Sequence, residues 1–166
     1  MKNKKNLIFG IIAAIAFIVG LVLMAGPKKN EAGNTPAATA SVFSAAEAFF
    51  DFGEIKMSGG IVQHNFAVKN TQSEPIKITS IYTSCMCTTA SLLLDGEKTG
   101  PFGMPGHGFG PSINKIVEPG KDFTVEAVFD PNAHGPAGVG RNDRTVYVKT
   151  DSGSTLELSF TALVTP

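Results

Sequence analysis

The chain has 166 residues, no formal net charge and only 17% charged side chains, with 14 Lys and Arg scattered among 14 Asp and Glu. That length allows one domain with a real core, and the lack of a basic cluster excludes the electrostatic footprint of a nucleic-acid binder. Eighteen glycines and 10 prolines, among many Val, Ile, Thr and Phe, suit short strands broken by tight turns, so an all-β domain is expected.

Leu7 to Ala25 (LIFGIIAAIAFIVGLVLMA) is an uncharged apolar run. At about 1.5 Å per helical residue it crosses most of a bilayer core of about 30 Å, so residues 1–25 read as a cytoplasmic start and a transmembrane signal anchor. Lys2, Lys4 and Lys5 precede the run and Lys28 and Lys29 follow it. The positive-inside rule then leaves the N-terminus in the cytoplasm and the rest of the chain outside. A cleaved signal peptide is the alternative, with Ala38-Thr39-Ala40 as its small-x-small site, and it too exports the domain. Residues 26–46, rich in Ala, Gly, Pro, Thr and Asn, bury too little to offset their ordering entropy and read as a flexible linker.

The domain is expected over residues 47–166. AFFDFGEI, from Ala48, forms a short aromatic strand closed by Gly53, and Met57 to Gly60 make a turn. Ile61 to Lys69 (IVQHNFAVK) alternates with Phe66 and Val68 on one face, the mark of a half-buried strand. After the Asn70–Pro75 turn, KITSIYTSC carries Ile76, Ile78 and either Tyr82 or Ile81 inward and leads into the cysteine pair. A further extended piece runs from Thr88 to Leu94 and turns at Asp95-Gly96. The segment Gly100 to Pro111 (GPFGMPGHGFGP) excludes both helix and regular ladder and reads as an irregular loop pinned by Phe102 and Phe109. Ile113 to Glu118 precedes a Pro119-Gly120 turn. Phe123, Val125, Ala127 and Phe129 then give the clearest period-two pattern in the chain. A second loop, Asp130 to Asp143, leads to strands over Thr145–Thr150 and Thr155–Val164. About seven strands at this spacing predict an antiparallel β-sandwich of immunoglobulin-like type, with no helix after the membrane segment.

Three stretches, FDFGEI, HNFAVKNTQSEPIKITSIYTSCMCTT and EPGKDFTVEAVFDPNAHGPAGVGRNDRTVYVKTD, resemble in this order a bacterial family of small exported immunoglobulin-like domains of unknown function, akin to the ASH and PapD-like sandwiches. The resemblance spans roughly Phe49 to Leu163 and centres on a T-S-C-x-C-T box. It implies a seven-stranded sandwich exported to the cell envelope, and it implies no activity. The residue between the cysteines is commonly Gly in that family and is Met86 here, and the loop GPFGMPGHG is an enlargement many members lack. Both departures add metal-ligand residue types.

In an extended backbone Cys85 and Cys87 point the same way. Soft thiolate and thioether ligands select cuprous ion, and imidazole is compatible with it. Cys85, Cys87, Met104 and His107 therefore form the expected metal site, with copper favoured over zinc because of Met104. The competing reading makes the cysteines small buried hydrophobes, Met104 loop packing and His107 solvated. A Cys85–Cys87 disulfide is awkward on a strand, because the Cβ vectors run parallel across about 6.6 Å. Thiol exchange with a partner is a further reading for exported cysteines. His64 reads as structural, and His134 lies in a loop that could come near the site in a sandwich, but loop histidines are more often solvated, so it is not counted among the ligands. No hydrolase or nucleotide motif is present, so no enzyme is expected. The sequence thus points to copper handling or delivery to an envelope protein, or else to a structural or interaction module whose sheet edge pairs with another strand.

Overall fold

The computed structural model describes residues 41–107, 110 and 112–166. The expected anchor at Leu7–Ala25 and most of the expected linker lie outside them, as does Phe109. Among the described residues no helix is long and apolar enough to cross a membrane.

Ten strands form two five-stranded sheets. They are β1 (Phe43–Ala45), β2 (Phe49–Lys56), β3 (Val62–Asn70), β4 (Ile76–Thr83), β5 (Thr88–Leu94), β6 (Glu97–Phe102), β7 (Ser112–Val117), β8 (Asp122–Phe129), β9 (Gly140–Thr150) and β10 (Thr155–Thr165). One sheet has the order β1-β3-β8-β5-β6 and the other β2-β10-β9-β4-β7. Helical structure among these residues is limited to two single-turn 3-10 segments, Met57–Gly59 and Gly135–Gly138.

Alternation along the strands explains the core. Phe66 and Val68 of β3, Leu92 of β5, and Val125, Ala127 and Phe129 of β8 face Ile78, Ile81, Val146, Val148, Leu158 and Phe160 of the other sheet in one buried cluster. Phe160 at its centre meets Phe52 edge-on at 5.3 Å and Phe129 at 5.5 Å between ring centroids, an arrangement that adds to simple area burial.

Five differences from the sequence expectation have local causes. The strand count is ten, because β1, β6 and β7 are short edge strands. The expected linker does not run to Ala46: β1 pairs with β3, and buried Phe43 packs edge-on against Phe123 at 5.0 Å. Gly53 does not close its strand but forms a bulge. Asp51 pairs with Thr161 and Glu54 with Leu163, and Gly53 has φ +67°. The extra residue lets Phe50, Phe52 and Ile55 all lean inward. This strand also pairs with β10 in parallel, so the sandwich is not wholly antiparallel. Finally, Gly100-Pro101 lies within β6 and not in a loop, since an edge strand tolerates a proline that cannot donate. Gly100 has φ +132°, and a Cβ there would meet Ala90 O and Ser91 Oγ at 3.0 Å.

A second bulge, between Ile78 and Ser80, settles which aromatic or aliphatic side chain ends β4 inside. Ile81 is buried, and Tyr82 stacks outside on Tyr147 at 4.8 Å. His64 is also structural in its contacts: its ring lies flat on Phe50 at 3.7 Å, and Nε2 is 2.7 Å from Glu47 Oε1.

Candidate functional site

The cysteines follow β4 and are not part of it. The backbone leaves the ladder at Ser84 and closes a four-residue turn, with Thr88 N donating to Cys85 O at 3.1 Å. Buried Thr83 holds this turn from below, its hydroxyl lying 3.0 Å from Cys85 O and 2.9 Å from Thr88 O. Ser84 ties it to β9 through Thr145 N to Ser84 Oγ, 2.9 Å, and Asp130 N donates to Cys87 O at 2.9 Å. Met86 sits at the apex, 52% exposed.

The turn overturns the geometric argument against a close thiol pair. On a strand the two Cβ vectors would stay parallel. Here they converge, and the sulfurs are 2.7 Å apart with the Cys87 thiol donating to Cys85. The two cysteines are unequal: Cys87 is 2% exposed and Cys85 is half-buried.

Two side chains from elsewhere complete the cluster. His134 Nε2 lies 3.2 Å from Cys85 Sγ. It is carried by the loop between β8 and β9, which starts with an Asx turn (Asn132 N to Asp130 Oδ1, 2.9 Å) and a tight turn from Asn132 O to Gly135 N, 2.9 Å. Buried Asn142 fastens the far side of this loop, its amide donating to Gly138 O at 2.9 Å and Gly140 O at 3.0 Å. Arg144 comes from β9. It shares the inward face with Asn142, Val146 and Val148, and its Nε donates to Cys87 Sγ at 3.0 Å. Its Nη1 donates to Asp143 O and its Nη2 to Asn142 Oδ1. Among the described residues Arg144 forms no ion pair with a carboxylate.

These contacts set the two thiols apart. Burial disfavours the Cys85 thiolate, but donation from the Cys87 thiol and N–H and from His134, with the charge of Arg144, outweighs it and lowers the pKa to about 7. Cys87 moves the other way, raised by burial and by donation to Cys85 in spite of Arg144.

Among the described residues, the donor atoms of Cys85, Cys87 and His134 all lie within 4.8 Å of one another. Of the expected ligands, the structure brings the two cysteines together, with His134 beside Cys85, and leaves His107 outside this cluster. His107 is exposed, in a turn closed by its N–H on Met104 O at 3.0 Å. Met104 is half-buried in that turn, next to Gly103, whose carbonyl accepts from Thr83 N at 3.3 Å. His134 was visible in the sequence as a loop histidine without distinguishing pattern. For Arg144 the sequence does hold a signal: counting back by two from Val148 and Val146 places it on the inner face.

This is an immunoglobulin-like β-sandwich carrying a dithiol and an imidazole at one end. A family model described as "Protein of unknown function (DUF1573)" matches residues 43–100, which cover β1 to β5, the cysteine turn and most of β6. No curated protein matches the chain. Among solved structures, a protein of unknown function from Porphyromonas gingivalis W83 superposes with a TM-score of 0.53 at 16% identity, over 78% of this chain and 51% of that one. The chain therefore spans about half of that protein's length, and the likeness is one of fold. The secreted serine protease VesC of Vibrio cholerae (TM-score 0.49, 10% identity, 76% of this chain and 24% of that one) is also similar. So is a PapD-like domain of human CEP192 (TM-score 0.43, 12% identity, 75% of this chain and 86% of that one).

Proposed function

We propose that this protein is a membrane-anchored, extracytoplasmic immunoglobulin-like module that binds a soft metal ion, cuprous copper, through Cys85, Cys87 and His134, for copper handling or delivery in the cell envelope. The observation that carries the reading is the convergence of two thiols from one turn and one imidazole from the β8–β9 loop within 4.8 Å. Thiolates select cuprous ion, and an imidazole joins them without imposing a geometry of its own. A metal about 2.3 Å from each sulfur requires the two thiols, 2.7 Å apart, to open by side-chain rotation. Export follows from the apolar run at Leu7–Ala25. Met104, in the loop fastened to Thr83, is the residue to test as a fourth soft donor.

The test is a competition titration of the full chain, reduced and held in detergent, with cuprous ion and a chromophoric chelator. One equivalent should bind to the wild type. Binding should be lost in Cys85→Ser and Cys87→Ser, weakened at least tenfold in His134→Ala and unchanged in His107→Ala. Binding that ignores His134, or that never reaches one equivalent, would sink the assignment.

A further inference from the structure

The metal reading uses Cys85 and Cys87 as equivalent donors, yet the fold makes them differ in every other respect. Cys85 is half-buried, at the open side of the turn and beside the exposed His134. Cys87 is closed off beneath it, 2% exposed. A guanidinium rigidly held by Asn142 Oδ1 and Asp143 O is aimed at the buried sulfur and not at the exposed one. An arginine facing the inside of a sandwich is costly to bury unless its charge has a use, and Arg144 has no carboxylate partner among the described residues.

We infer that the metal-free pair carries out thiol–disulfide exchange with an exposed disulfide of an exported protein or small thiol compound, Cys85 attacking, Cys87 resolving and Arg144 positioning the resolving sulfur. The inference does not rest on the metal reading, because the burial difference and the Arg144 contact exist without a metal.

The steps balance as follows. Cys85 Sγ, as the thiolate, attacks one sulfur of the partner disulfide. A Cys85–sulfur bond forms, the partner's sulfur–sulfur bond breaks, and one partner thiolate leaves. Cys87, 2.7 Å away, gives its proton to solvent and attacks Cys85 Sγ. The Cys85–Cys87 bond forms, the mixed disulfide breaks, and the second partner thiolate leaves. The pair has lost two electrons and the partner has gained them. Burial keeps Cys87 from attacking partners directly. The Arg144 charge offsets the cost of forming a thiolate where burial opposes it.

Oxidised glutathione is the probe, reacted with the reduced full chain in detergent with a chelator present and followed by intact mass. The wild type should lose two hydrogens and release two glutathione molecules. Cys87→Ser should stop at one glutathione attached to Cys85, and Cys85→Ser should react at least tenfold more slowly than Cys87→Ser. Arg144→Gln should accumulate the mixed disulfide, its second step slowed about tenfold with the first unchanged, and Arg144→Lys should recover part of that rate. Circular dichroism identifies any variant that has not folded, and the Cys85→Ser and Cys87→Ser comparison decides the order of attack independently of Arg144. Equal reactivity of the two cysteines, or no mixed disulfide in Cys87→Ser, overturns the inference. An unaltered second step in folded Arg144→Gln removes Arg144 from it. Loss of copper binding with exchange intact, or the reverse, tells the failure of one proposal from that of the other.

Discussion

At the residue scale, the two sulfurs show how position sets thiol chemistry. They are two residues apart and share a turn, yet one is lowered to about pH 7 and the other raised. Replacing Cys87 alters the donors that lower Cys85, so the midpoint is best read in the wild type, where Cys85 modification by iodoacetamide should rise through about pH 7. A lowered folded pKa also gives the sign of the stability effect. The Cys85 contribution is complete above the ordinary thiol range and is lost as pH falls through about 7; denaturant midpoints at pH 6 and pH 8 in wild type and Cys85→Ser measure it. The raised Cys87 acts oppositely, its contribution being lost as pH rises beyond the thiol range.

The same scale shows what sequence alone conveys. Residue types are legible: both cysteines lie in the cluster, and period two places Arg144 on the inner face. What is not legible is direction after a strand ends. The expectation that the thiols lie parallel assumed that β4 continued through Cys87, whereas Thr83 captures Cys85 O and starts a turn. His107 and His134 carry the same chemistry in similar Gly-Pro surroundings. Only the β8–β9 connection, drawn to the turn by Asp130 N on Cys87 O, separates them.

At the element scale, the loop that presents His134 is held by one buried side chain. Asn142 → Ala would leave Gly138 O and Gly140 O without the amide donors they now have and should cost about 1–3 kcal/mol. Because Asn142 also receives Arg144 Nη2, the substitution should loosen the loop and the guanidinium together, seen as faster amide exchange over 131–139 in the folded protein. In β6, Gly100→Ala combines a left-handed backbone with a Cβ pressed to 3.0 Å from Ala90 O. It should destabilise by more than about 1 kcal/mol in a thermal melt. Strand existence is well marked by alternation for β3 and β8. Edge strands and bulges are not, because β1 and β6 have too few residues to show a period, and Gly53 and Ser80 reset the period within their strands.

At the scale of the whole molecule, the extent of the sandwich is a testable matter. Phe43 lies in what composition reads as linker, yet it is buried against Phe123. Phe43→Ala should cost about 3–5 kcal/mol in urea unfolding, as for other buried aromatic truncations, whereas a linker residue would cost nothing measurable. The all-β architecture itself was legible from turn spacing and alternation, since a domain of this size must bury one face of each strand whatever its connections.

The parallel pairing of β2 with β10 has a mechanical meaning. The chain enters β2 at Phe49 and leaves β10 at Thr165, at opposite ends of the paired stretch. Tension applied between those points pulls the two strands along their length, so the rungs joining them are strained all at once instead of opening one by one. A domain stretched in this direction resists as a lap joint does.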